Sequence, residues 1–134
     1  MSNTFTQQVI NDGCRNVQVK IDGFLDSSDA VLVPALDLTS LINNDKNLTL
    51  VGIRIDELEF SISPDLVVSL FWEAASPQSI ARMAGSYTLH FDGGLFPDRT
   101  ALNYRGNLLL STSGWQAGKP EAFSLILWGV KLYT

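Results

Sequence analysis

Cysteine and histidine are almost missing from the sequence, and their scarcity argues against sites that depend on several of these residues. The 134 residues include one cysteine, Cys14, so no internal disulfide can form and a multi-cysteine zinc site is excluded. His90 is the single histidine, whereas zinc and non-haem iron sites usually need at least two. A serine triad would also depend on His90, and the sequence has no G-x-S-x-G motif. Strand alternation places His90 on a wet face, so we expect a structural role for it.

Charge and long apolar runs are scarce as well. Charged residues make up 17% of the chain, below the roughly 25% of typical soluble domains, which indicates that a partner covers part of the surface. The net charge is −5 and basic residues do not cluster, which argues against direct binding to nucleic acid. No apolar run approaches about 18 residues, so we expect no membrane span. The polar start lacks a signal-peptide core, and we expect synthesis in the cytoplasm.

Strand patterns dominate what is present. Residues 16–22, NVQVKID, alternate apolar and polar side chains, and similar runs recur up to the final FSLILWGVKLY. Pro34 predicts an edge strand or a bulged strand, and residues 75–85 are interpreted as a connection. We therefore predict an all-β chain with about eight strands in a two-sheet antiparallel sandwich, jelly-roll-like in topology. Residues 1–14 are predicted to form a polar N-terminal arm, and residues 15–134 a single β-sandwich domain.

The run RIDELEFSIS contains a change of phase. Apolar residues stand at odd positions up to Ile55 and at even positions from Leu58 onwards. A strand cannot change parity without an extra residue or a bend. We therefore predict a β-bulge or corner at Asp56 and Glu57, where the strand leaves one sheet for the other.

The carboxylates in this run are the main catalytic candidates. Glu57 and Glu59 would lie about 6.5 Å apart on one strand face, within the roughly 5 to 9.5 Å that separates glycosidase carboxyl pairs. The same spacing occurs on the wet face of most strands, and so small a sandwich offers little room for a sugar cleft. We expect no enzyme activity and no cofactor. Residues 92–94 and 43–47 could suggest calcium, but they do not match an EF-hand and are interpreted as turns, so no metal is expected.

The three tryptophans divide into two groups. Trp72 and Trp128 stand in strands and are predicted to belong to the core. Trp115 stands in a Gly-flanked loop, where it is either a lid over the end of the sandwich or an anchor into a partner. The sequence leaves both interpretations open.

Residues 54–74 contain Arg-Ile-Asp at 54–56, Phe-Ser-Ile-Ser at 60–63 and Leu-Phe-Trp-Glu-Ala at 70–74. This combination resembles a motif of small structural proteins from the virions of tailed bacteriophages. Further matches are VKIDGFLD at 19–26 and FDGGL at 91–95. The resemblance covers most of residues 13–132 and implies a virion component.

This resemblance implies a head decoration (cement) protein that binds the capsid exterior and bridges capsomers, as a homotrimer whose partner is the major capsid protein. One alternative is a neck, tail or fibre-associated virion protein. Another, from a different class, is a small carbohydrate-binding module that stacks sugars on Trp115 or Tyr104. The candidate interface residues are Thr4, Phe5, Val9, Ile10, Phe96, Tyr104 and Trp115.

Overall fold

A computed structural model describes residues 3–42 and 47–134 of the chain. Within these residues the chain forms nine β-strands and one turn of 3-10 helix, Leu38–Ser40. The strands are β1 Thr4–Asp12, β2 Asn16–Leu25, β3 Val33–Leu36, β4 Leu50–Ile62, β5 Val67–Trp72, β6 Gln78–Met83, β7 Ser86–Leu95, β8 Leu108–Ser113 and β9 Glu121–Tyr133. This confirms the predicted all-β class.

The strands build a sandwich of two antiparallel sheets, as predicted. The five-stranded sheet has the order β1-β2-β9-β4-β7, and the four-stranded sheet the order β3-β8-β5-β6. The pairs β2–β9, β3–β8, β4–β7 and β5–β6 are nested in the sequence, each inside the one before. The chain from β2 to β9 is therefore one long hairpin that has been rolled up, which is the jelly-roll topology.

The core lies between the inner faces of the two sheets and consists of aliphatic side chains. In β2 and β9 every second residue points inward, so Ile21, Leu125 and Leu127 are at most 1% exposed. Trp72 on β5 is also buried, and its indole N–H donates to the Ile53 carbonyl on β4 at 3.1 Å. Because β4 and β5 belong to different sheets, this hydrogen bond joins the two layers across the core.

Strand β4 contains the predicted bulge. Ile55 pairs with Gly129 of β9 and Glu57 pairs with Trp128, so Asp56 is the extra residue. The expected passage to the other sheet is wrong, because β4 pairs with β9 along its whole length and stays in the five-stranded sheet. The Arg54 guanidinium holds the bulge by donating two hydrogen bonds to the Asp56 carboxylate, at 2.7 and 3.0 Å. These hydrogen bonds raise the pKa of Arg54.

The segment expected to be an N-terminal arm differs from that expectation. Residues 4–12 form β1, the edge strand of the five-stranded sheet, and pair with β2. Phe5 and Val9 stand four positions apart in β1, so their side chains lie on the same side of the strand, and both pack against the core. The polar residues around them in the sequence conceal this strand pattern. The ammonium group of Lys131, fully buried, holds the end of β1 by donating to Asp12 and to the Gly13 carbonyl, the latter at 2.7 Å. The boundary at residue 15 therefore does not separate an arm from the sandwich.

Two further local predictions have clear outcomes. Pro34 lies in β3, which is an edge strand with a register shift after Pro34, so that prediction is confirmed. The connection expected at residues 75–85 contains strand β6 instead. The pairing of β6 with β5 skips Ile80, so its buried residues Ile80 and Met83 are three apart and period two is lost.

Candidate functional site

The outer face of the five-stranded sheet carries a row of four chemically different side chains. Gln18 of β2 pairs with Trp128 of β9, Trp128 with Glu57 of β4, and Glu57 with His90 of β7. Residues that pair across strands point to the same side of the sheet. The row therefore presents an amide, an indole, a carboxylate and an imidazole in this order.

Trp128 is half-buried on this outer face, so its predicted place in the core is wrong. Its neighbour Leu127 is completely buried, and consecutive side chains of a strand point to opposite faces. The alternation of Phe123, Leu125 and Leu127 was the signal that could have placed Trp128 outside. Its position leaves part of a large aromatic surface in contact with solvent.

The Glu57 carboxylate in this row is held by the imidazole of His90. The Nδ1 atom of His90 lies 2.8 Å from Oε1 of Glu57, while the His90 side chain is 71% exposed. The sequence predicted a wet-face position for both residues, and both lie on the outer face. The pair fixes the direction of the carboxylate beside the Trp128 indole, because a hydrogen bond at this distance restricts both side chains.

Two further rows continue the outer face toward the start of β7. Lys20, Ile126, Glu59 and Thr88 form the second row, and Asp22, Ser124, Ser61 and Ser86 form the third. The Ser86 hydroxyl donates to the Ser61 hydroxyl at 3.2 Å. We call these three rows together the polar face. They surround the apolar surface of Trp128 and Ile126 with hydrogen-bonding groups.

An open groove of ≈ 520 Å³ runs over the β4–β7 side of the polar face. It is lined by Glu59, Phe60, Ser61, Ser86, Tyr87, Thr88, Ser124 and Ile126. A second depression of ≈ 610 Å³ shares Ser61 and Ser124 with the groove and extends it toward the Pro64 turn. Tyr87 pairs with the buried Phe60, so its side chain leaves β7 on the opposite side from Thr88 and Tyr87 only borders the groove at the edge of the sheet. The groove thus offers hydroxyl groups, one carboxylate and the apolar surface of Ile126 to a ligand.

The outer face of the four-stranded sheet is different. Pro34, Leu109 and Phe71 form a row across β3, β8 and β5, and Val67 lies on the same side of β5. Ser69 and Ser111, which pair with each other, lie between these apolar residues. We call Pro34, Val67, Ser69, Phe71, Leu109 and Ser111 the apolar face. Close to it Val31 is 77% exposed and Leu32 is 41% exposed, and the Leu32 amide donates to the Ser111 hydroxyl at 2.8 Å.

Four of the seven interface candidates are apolar or aromatic residues that pack against the core: Phe5, Val9, Tyr104 and Trp115. The remaining three, Thr4, Ile10 and Phe96, are exposed. Thr4 and Ile10 lie on the edge strand β1, and the Arg54 guanidinium carbon stands 5.8 Å from the centre of the Phe96 ring. The structure thus distributes these seven residues over several surfaces.

Trp115 and Tyr104, the sugar-stacking residues expected from sequence, both have structural partners. The indole N–H of Trp115 donates to the Leu25 carbonyl at 3.2 Å, and its backbone N–H donates to the Asp29 carboxylate at 3.1 Å. Trp115 therefore acts as a lid over the end of the sandwich. The Tyr104 hydroxyl donates to the Val51 carbonyl at 2.8 Å, and burial raises the pKa of Tyr104.

The two segments considered for calcium have separate outcomes. Residues 43–46 lie outside the described residues. At 92–94, Gly93 and Gly94 have φ of 76° and 80°, a left-handed conformation that glycine adopts without strain, where β7 bulges away from β4. Within residues 3–42 and 47–134, no group of three or more histidine, cysteine, aspartate or glutamate side chains is arranged to hold a metal ion. The described part of the chain also contains no helix with the length and hydropathy to cross a membrane.

Comparison with known proteins gives little beyond the fold. No family model matches the chain, and no curated protein matches it. A solved structure described as "CBM4 structure and function" is similar over 97% of this chain and 93% of that one, with 10% sequence identity and a TM-score of 0.28. At that level of similarity, the assignment of a β-sandwich depends on the strand pairing itself.

Proposed function

We propose that the chain is a small carbohydrate-binding module and that its polar face binds a saccharide. The observation that carries the proposal is the half-buried Trp128 indole, set in one row between the Gln18 amide and the Glu57–His90 pair. Sugar rings have an apolar C–H face and a rim of hydroxyl groups. An indole provides a rigid apolar surface for the first, and amide, carboxylate and imidazole groups bind the second.

The groove beside this row extends the proposed contact area. Its volume of ≈ 520 Å³ falls within the roughly 300 to 1,000 Å³ typical of ligand sites. Its three serines, Ser61, Ser86 and Ser124, offer hydroxyl groups that both donate and accept hydrogen bonds. An extended oligosaccharide could therefore stack on Trp128 and place its next units along the groove toward Ser61 and Ser86.

The experiment is a calorimetric titration of the full chain with neutral oligosaccharides of several linkages. We expect binding to at least one linkage, and Trp128→Ala should weaken it by at least tenfold, since aromatic anchors dominate small binding sites. Phe71→Ala on the apolar face is the matched control and should bind as the unchanged chain does. Equal binding by Trp128→Ala, or no binding to any sugar, would overturn the proposal.

A second candidate function is the virion decoration protein that the sequence resembles. It is supported by the apolar face, where Pro34, Phe71 and Leu109 lie in one row beside the exposed Val31. A row of apolar side chains interleaved with serines suits a flat protein surface, and low overall charge favours burial at such a contact. The partner in this proposal is the major capsid protein, the location is the capsid exterior, and the oligomer is a homotrimer.

A further inference from the structure

The charge on the polar face points to the class of saccharide that it binds. We propose that this face prefers amine-bearing saccharides, binds neutral ones more weakly, and discriminates against uronic-acid and sulfated saccharides. This inference rests on the proposed function, because it concerns the ligand of the same face.

The ionisable groups on the three rows are mostly acidic. Asp22, Glu57 and Glu59 carry negative charge, and Lys20 is the one lysine or arginine in these rows. The Nζ atom of Lys20 lies 3.6 Å from Oδ2 of Asp22, so the Asp22 carboxylate already balances the positive charge of Lys20. His90 lies against Glu57 and is exposed. An anionic sugar would therefore meet unbalanced negative charge on this face.

Glu59 is the carboxylate best placed to select a cation. It lines the groove between Ile126 and Thr88, and its carboxylate has no hydrogen bond or ion pair among the described residues. The Ile126 side chain beside it is half-buried and apolar, so it offers no competing polar partner. A protonated amine on a sugar bound in the groove could pair with Glu59 while the sugar ring covers Ile126.

The rest of the chain strengthens this preference at a distance. The net charge is −5, and the sequence has no basic cluster to attract an anionic polymer. Long-range repulsion would slow the approach of a polyanion, and salt would weaken that effect because the Debye length is about 8 Å at physiological ionic strength. The selectivity should therefore shrink as salt is added.

The experiment compares three oligosaccharides of equal length with the full chain: glucosamine oligomers, fully N-acetylated glucosamine oligomers and galacturonate oligomers. We expect the amine-bearing oligomer to bind about three- to fivefold more tightly than the acetylated one, as for an exposed charge pair. The galacturonate oligomer should bind most weakly. Glu59→Gln should bring the ratio of the amine-bearing to the acetylated affinity close to one, whatever it does to the affinity for the acetylated oligomer.

The matched control is Asp65→Asn, which removes one negative charge from an exposed turn. Residue 65 has φ of 70°, a conformation that asparagine also tolerates. This variant should retain the preference. If the acetylated oligomer binds but the amine and galacturonate oligomers bind equally well, or Glu59→Gln changes nothing, the charge selectivity is wrong while saccharide binding stands. If none of the three oligomers binds and the neutral panel is also negative, the proposed function itself fails.

Discussion

The two outer faces of the sandwich carry different side chains, although both sheets are antiparallel and both have aliphatic inner faces. On the polar face, Trp128 lies among an amide, two glutamates and hydroxyl groups. On the apolar face, Phe71 lies between Leu109 and Ser79, with Pro34 beyond Leu109. Both aromatic residues follow a completely buried leucine in their strands, Leu127 and Leu70 respectively. The inner faces are therefore alike, and the outer residues are what distinguish the two sheets.

This difference shows where the information on function lies. A jelly roll occurs in both capsid and lectin domains, so the shared inner pattern cannot decide between a virion protein and a saccharide-binding module. Residues that alternate with the core positions are free of that packing constraint. The polar face is suited to a ligand with many hydroxyl groups, whereas the apolar face is suited to a protein surface.

The largest expected effect tests whether Trp128 really belongs to an outer face. Leu127→Ala removes a completely buried side chain and should lower the free energy of unfolding by about 2 to 5 kcal/mol. Trp128→Ala should lower the free energy of unfolding by less than about half of that amount, because the Trp128 side chain is half-buried and its removal leaves no internal cavity. Urea denaturation of both variants measures the difference. Equal losses would place Trp128 in the core and remove the basis of the polar face.

The next effect separates the two proposed functions, because each face is altered in turn by one substitution. Phe71→Ser makes the apolar face polar and should weaken binding to purified capsid shells by about tenfold if that face docks on protein. The same variant should bind saccharide normally. Trp128→Ala should show the opposite pattern, with reduced saccharide binding and unchanged shell binding. Co-sedimentation with shells and calorimetry with sugar measure the two properties. If one variant lost both, the two faces would not act independently.

Much of the fold could be predicted from the sequence, because period-two alternation is a direct consequence of strand geometry. The bulge in β4 was predictable for the same reason, since the parity change between Ile55 and Leu58 needs an extra residue. Strand β6 was missed because its own bulge at Ile80 removes the alternation. Strand β1 was missed because only Phe5 and Val9 pack against the core, among polar neighbours.

The candidate site was harder to predict than the fold. Each row of the polar face joins residues from four strands that are far apart in the sequence, such as Gln18 and Trp128. Sequence alternation gives the side of a strand that a residue occupies, but only the strand order gives its neighbours. The glycines around Trp115 made an anchor into a partner one of its two predicted roles, yet its indole N–H donates a hydrogen bond to the Leu25 carbonyl. Local sequence could not show that hydrogen bond.

The smallest expected effect concerns the β7–β8 connection, which joins the two sheets whose faces are compared. The Tyr104 hydroxyl donates a hydrogen bond to the Val51 carbonyl of β4, in the five-stranded sheet. The backbone N–H of Arg105 donates to the carbonyl of Glu73, directly after β5 of the four-stranded sheet, at 2.9 Å. Tyr104→Phe should lower the free energy of unfolding by about 0.5 to 1.5 kcal/mol at neutral pH.

The pH dependence of stability gives this tyrosine prediction a second readout. Burial raises the folded-state pKa of Tyr104 above its usual 10.0. The folded state therefore holds this proton more tightly than the unfolded state does, so the contribution is complete below about pH 10 and is lost as the pH rises through the folded-state pKa. Urea denaturation between about pH 8 and about pH 11 should show a steeper loss for the unchanged chain than for Tyr104→Phe. Tyr87→Phe, at an exposed tyrosine, is the matched control and should follow the unchanged chain. Parallel curves for the unchanged chain and Tyr104→Phe would contradict the inference that the Tyr104 hydroxyl helps to fasten the connection between the sheets.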